Sequence, residues 1–151
     1  MNFIETRGND GQHPQSVTFS QAILSPMNSF GGIYVPETLP TLGLEFLQQH
    51  LQSNYKELAK AVLDAFDLDV DASVIDTALG LYDEFDDANN PVPVTKVRED
   101  LYVSELYHGP TRAFKDMALQ PFGTVLSDLA QKRQENYLIM ENTATLHLQE
   151  A

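Results

Sequence analysis

The run Asn89-Asn90-Pro91-Val92-Pro93 constrains this chain more than any other stretch. Two prolines fix φ, remove two backbone donors and push the residues before them out of the helical region. No helix or central strand crosses this point, so the 151-residue chain divides here. Residues 1–88 read as one domain, 89–100 as a linker and 101–151 as the start of another. The first part is mainly helical. Tyr55, Leu58, Ala59, Val62, Leu63 and Phe66 recur at one-face spacing, and Asn54 with Glu57 forms a capping box. Val74, Ile75, Ala78, Leu79 and Tyr82 form another stripe behind Asp71 or Ser73, and Leu44–Leu51 is a shorter helical segment. Phe19, Ala22 and Ile23 make a short helix capped by Ser16 or Thr18 and ended by Pro26. Gly31-Gly32 turns into a short strand, Ile33-Tyr34-Val35, closed by Pro36.

Beyond the linker the pattern changes. Leu101-Tyr102-Val103 reads as a strand. Phe114, Met117, Ala118, Phe122, Val125, Leu126 and Leu129 form a helical stripe interrupted by Pro121, which is expected to kink or restart the helix. Tyr137–Met140 reads as a buried strand. Strand, helix, strand is a βαβ unit, the opening of an α/β fold with a parallel sheet.

Charge excludes several functions. Acids outnumber bases 22 to 9, for a net charge of −13, so no nucleic acid or anionic membrane is an expected partner. Residues 61–95 hold nine acids and no base, the pattern of a solvated face. Asp67, Asp69 and Asp71 begin with calcium-loop spacing, but Ala72 and Ala78 stand where that loop needs Gly and Glu. Without cysteine there is no disulfide or thiolate metal site. His13, His50, His108 and His147 lack helical metal-pair spacing, so no metal is expected. No apolar run approaches about 20 residues. Met1-Asn2-Phe3-Ile4-Glu5 is unlike a signal peptide, so the expected location is cytoplasmic.

The chemistry sits in Glu105-Leu106-Tyr107-His108-Gly109-Pro110-Thr111-Arg112-Ala113-Phe114-Lys115-Asp116, after a strand and before a helix. Gly109-Pro110 enforces a turn. Lys115 falls in the first helical turn, where free N–H groups make a positive end. A cation there is misplaced, which favours the neutral amine that condenses with a carbonyl.

This segment resembles the pyridoxal-phosphate lysine motif of the threonine synthase family, Leu-Tyr/Phe-His-Gly-Pro-Thr leading to Ala-Phe-Lys-Asp. Thr6-Arg7-Gly8, Phe19-Ser20-Gln21-Ala22-Ile23-Leu24 and Gly31-Gly32-Ile33-Tyr34-Val35-Pro36-Glu37 resemble the family's N-terminal motifs, in order. The resemblance implies a small N-terminal domain on a type II pyridoxal-phosphate fold. It implies a lyase of threonine biosynthesis that converts O-phosphohomoserine and water to threonine and phosphate. Lys115 is then the cofactor-binding and catalytic residue, and the same amine shuttles protons once substrate displaces it. Thr111 and Arg112 lie near substrate, and Asp116 caps or pairs. Arg112 departs from the family, which has an apolar residue there.

After a strand like Tyr137–Met140 the family continues into a substrate loop, whereas this chain reads Glu141-Asn142-Thr143-Ala144-Thr145. The expectation is therefore the N-terminal third of a threonine synthase, with an incomplete βαβ unit. Such a chain binds pyridoxal phosphate weakly or not at all, is inactive alone, and associates with itself through its open sheet. The alternative is a catalytically inactive remnant or interaction module.

Overall fold

A computed structural model of the protein describes residues 1–139 apart from Asn9, Gln12, His13 and Ser29. In chain order the elements are β1 (Phe3–Glu5), β2 (Ser16–Val17), α1 (Phe19–Leu24), β3 (Tyr34–Pro36), α2 (Leu44–Gln49), α3 (Tyr55–Ala65) and α4 (Ala72–Gly80). A 3-10 turn (Leu81–Glu84), β4 (Val94–Arg98), β5 (Leu101–Ser104) and α5 (Asp116–Arg133) follow. The strands form two antiparallel sheets, one ordered β2-β1-β3 and the other the hairpin β4-β5.

Helices α1 and α3 begin where side chains satisfy their unpaired donors. Thr18 caps α1 in a reciprocal pair with Gln21, and Asn54 does the same for α3 with Glu57. Asp71 stands at the head of α4 without capping it through its side chain. Its carboxylate meets Lys132 of α5 at 2.7 Å. Other acids of the 61–95 run likewise meet bases from outside the run, Asp83 with Lys56 at 2.5 Å and Asp76 with Lys60 at 2.7 Å. The acidic face is thus partly stitched to its neighbours, although exposed pairs of this kind stabilise little.

The core lies between α4 with its 3-10 extension and α5. Ile75, Leu79, Tyr82 and Phe85 pack against Val125 and Leu129, with Phe19, Ile23, Tyr55, Ala59 and Leu63 around them. Helix α5, on the far side of the proline run, therefore completes the core of the helical region. Pro91 of that run is itself fully buried.

Three expectations are corrected. No βαβ unit forms among the described residues: β5 pairs antiparallel with β4, and residues 137–139 are exposed and in no strand. Met140, the last residue of the expected strand, lies outside the described residues. The physical reason is local closure. Arg98 pairs with Leu101 across the two-residue loop Glu99-Asp100, with Asp100 at φ 58°, and a two-residue hairpin closes at far lower entropic cost than a crossover. Second, Phe114 is not on the helix; it precedes α5 and is 65% exposed. Third, of the kink or restart expected at Pro121 the restart does not occur: α5 runs as one element through it. The carbonyl that Pro121 leaves without a helical donor is that of Met117, and the buried Tyr82 hydroxyl donates to it at 2.6 Å.

Candidate active site at the head of helix α5

The connection from β5 to α5 is held by side chains at almost every step. Glu105 continues the hairpin, its N–H donating to Pro93 O at 2.9 Å. Its carboxylate accepts from Thr95 Oγ1 (2.8 Å) and Tyr107 Oη (3.0 Å) and bonds His108 Nε2 at 2.9 Å. The other ring nitrogen of His108 lies 3.1 Å from Asp86 Oδ2, and Asp86 N donates to His108 O at 3.1 Å. Arg112 bonds the same Asp86 oxygen through Nη1. His108 is thus clamped between a carboxylate of its own loop and one that follows the 3-10 turn.

This clamp sets the charges. Glu105, then Asp86, raises the His108 pKa above its ordinary value. His108, then Thr95 and Tyr107, lowers that of Glu105, and Arg112, then His108, lowers that of Asp86.

Next comes an interlock. Arg112 N donates to Gly109 O at 3.1 Å, closing a turn in which Arg112 takes φ 60°. Asp116, 1% exposed, accepts Thr111 N at 2.9 Å on Oδ2 and Thr111 Oγ1 at 2.8 Å on Oδ1. A buried carboxylate demands such donors. Gly109 lies against the same side chain: a Cβ there would stand 2.5 Å from Asp116 Oδ2 and 2.6 Å from Asp116 Cβ. Only glycine fits.

The interlock delivers Lys115. It occupies the N-cap position of α5 with helical backbone (φ −61°, ψ −24°), one residue before the helix proper, and its carbonyl accepts from Ala118 N (2.9 Å) and Leu119 N (2.8 Å). Its half-buried side chain lines a cleft of about 570 Å³ whose other walls are Tyr55, Val92, Leu106, Phe114, Met117, Ala118 and Leu119. The cleft is apolar apart from this amine, the Tyr55 hydroxyl and backbone. A second apolar groove of about 590 Å³ runs between α1, α3, α4 and α5, and Tyr55 lines both.

Of the residues expected at the site, Lys115 lines the cleft. Thr111 and Arg112 do not line it; Thr111 is engaged by Asp116, and Arg112 is an exposed cation paired with Asp86. Asp116 pairs as expected. The sequence reading missed Asp86 and Tyr55. Asp86 was hidden in the acidic run, and Tyr55 was counted only as an apolar member of its stripe.

Comparison with known proteins shows what the chain is similar to. The family described as threonine synthase N terminus matches residues 2–78. The threonine synthase of Pseudomonas aeruginosa is 36% identical over 95% of this chain and 30% of its own length. That of Corynebacterium glutamicum is 31% identical over 95% of this chain and 31% of its own. The structure of PLP-bound threonine synthase from Brucella melitensis superposes with a TM-score of 0.80 at 29% identity, covering 89% of this chain and 28% of that one. Threonine synthase from Escherichia coli gives 0.70 at 27% identity, over 86% and 28%. The chain spans about 30% of the length of the curated relatives it matches.

Proposed function

The chain belongs to the threonine synthase family, and from that premise we propose that it is the N-terminal portion of a pyridoxal-phosphate-dependent threonine synthase with Lys115 as its cofactor-binding amine. The reaction would be conversion of O-phosphohomoserine and water to threonine and phosphate, in the cytoplasm. In this reading residues 1–88 are the N-terminal domain, 89–100 the linker and 101–151 the opening of the catalytic domain, with α5 lending its apolar face to the first.

One observation carries the proposal: the Gly109–Asp116 interlock holds a half-buried lysine at the wall of an apolar cleft. The residues fit the group. A flat aromatic aldehyde suits a cleft walled by Phe114, Leu106 and Val92, and the single amine there meets the aldehyde. When bound, pyridoxal phosphate supplies an electron sink at the substrate carbon. This chain's own part is binding and orientation. The N-cap position holds the Lys115 side chain at the head of α5, on the wall of the cleft, and in this reading Nζ takes up and returns the proton. Thr111 keeps the turn at its height by holding Asp116, and Arg112, paired with Asp86 beside the turn, is the cation proposed to lie near an anionic substrate.

We also propose that these 151 residues do not turn over substrate alone. They span about 30% of the relatives' length, and a net charge of −13 repels an anionic cofactor and substrate. The phosphate-binding groups would come from the portion the relatives have in addition.

The test is a titration with pyridoxal phosphate, borohydride reduction and mapping by mass spectrometry. Lys115 should label ahead of Lys56, Lys60, Lys96 and Lys132, without tight saturation, and phosphate release from O-phosphohomoserine should be undetectable. Labelling spread evenly over all the lysines would overturn the assignment of Lys115. Tight, saturable labelling with turnover would overturn the proposed inactivity.

A further inference from the structure

Helix α5 carries a fault close to its functional end. Pro121 is its sixth residue and has no N–H, so the carbonyl of Met117, four residues back, loses its helical donor. A carbonyl left unsatisfied inside a packed turn is costly. The donor comes from another element: Tyr82 Oη donates to Met117 O at 2.6 Å, across 35 residues of sequence. Tyr82 is 4% exposed, and its ring is held edge-on against Tyr55 and Phe85, with centroids 5.1 and 5.2 Å away. The packed ring holds the hydroxyl at that carbonyl, and the Tyr55 hydroxyl is its other hydrogen-bonding neighbour. Met117 lies two residues beyond Lys115, in the turn whose Ala118 and Leu119 amides bond the Lys115 carbonyl.

We propose that Tyr82 is a positioning residue for Lys115: its hydroxyl replaces the backbone donor that Pro121 lacks, and so fixes the first turn of α5 at the cleft. This rests on the reading of Lys115 as the aldehyde-binding amine. The tyrosine and the proline are a matched pair. A ring that served packing alone could be phenylalanine at no cost to the turn. A hydroxyl that stands in for a missing N–H becomes dispensable once the N–H is returned.

That difference gives a rescue test on the full chain. Wild type, Tyr82→Phe, Pro121→Ala and the double variant are treated with the same sub-saturating pyridoxal phosphate below their melting transitions and reduced with borohydride. The Lys115 adduct is measured against that of Lys96, on the β4–β5 hairpin. Amide exchange of residues 118–120 is followed in parallel. Tyr82→Phe should lower both the Lys115:Lys96 ratio and the amide protection about tenfold, which is ~1.4 kcal/mol. In the double variant residue 121 again carries an N–H, and both quantities should return to within about twofold of wild type. An unchanged ratio in Tyr82→Phe, or a loss that Pro121→Ala does not restore, would leave Tyr82 a packing residue and end the proposal. Wild type that never labels Lys115 above Lys96 would instead overturn the proposed function, and the positioning role with it.

Discussion

At the scale of single residues, the site depends on a glycine and a carboxylate that touch. A methyl group at position 109 would stand 2.5–2.8 Å from the Asp116 side chain, whose buried carboxylate already holds Thr111. Gly109→Ala should therefore cost about 1–3 kcal/mol by overpacking, measured by urea unfolding, with loss of the selective Lys115 adduct. Equal stability would show that the interlock yields without strain. His108 adds a pH dependence. Glu105, then Asp86, raises its folded pKa, so its contribution is complete below the unfolded value of about 6.5 and disappears as pH rises through the raised value. Glu105 is held low chiefly by His108, and Asp86 chiefly by Arg112. Their contribution is present above the unfolded values and lost as pH falls through the depressed ones. The melting temperature of His108→Asn should fall furthest below wild type near about pH 6 and converge with it at alkaline pH. A gap independent of pH would assign His108 a packing role alone.

At the scale of elements, legibility followed how local the determining physics is. The capping boxes at Thr18 and Asn54 and the apolar face of α3 were readable because each helix is set by residues within one or two turns of itself. The pairing of β5 was not, although Val94, Thr95 and Val97 carry strand propensity and Glu99-Asp100 can turn. A parallel crossover and a hairpin use the same Leu101–Val103 signal, and only the partner distinguishes them. Pro121 was readable as a break, but Tyr82 supplies the missing bond from 35 residues away. For the candidate site, the place of Lys115 between a strand and a helix was legible in the motif, whereas the anchoring of His108 by Asp86 depends on two segments meeting in space. A contrast of two leucines tests the element assignment. Leu129 is 7% exposed on α5 and Leu138 is 85% exposed after it. Leu129→Ala should cost about 2–5 kcal/mol, and Leu138→Ala should stay within about 0.5 kcal/mol. A large loss at Leu138 would restore the buried strand that residues 137–139 were expected to form.

At the scale of the whole molecule, the β4–β5 hairpin stands out because the described residues cover neither of its faces. Val94, Val97, Leu101, Tyr102 and Val103 are all 40% or more exposed, and a two-stranded ribbon is marginal by itself. Its edges can accept further strands. The isolated chain is therefore expected to self-associate through this hairpin, with the acidic helices outward. Sedimentation equilibrium should find concentration-dependent dimers that Val103→Lys abolishes, and a wild-type monomer at every concentration would reject this. Helix α5 has a different consequence. Its apolar face closes the helical core while its head carries Lys115, so one helix serves both the fold and the cleft. Binding and unfolding then become thermodynamically linked. A molecule held at Lys115 draws the whole folding equilibrium toward the native side by mass action. Melting temperature thus becomes an assay for occupancy of the cleft, sensitive even to ligands that undergo no reaction there.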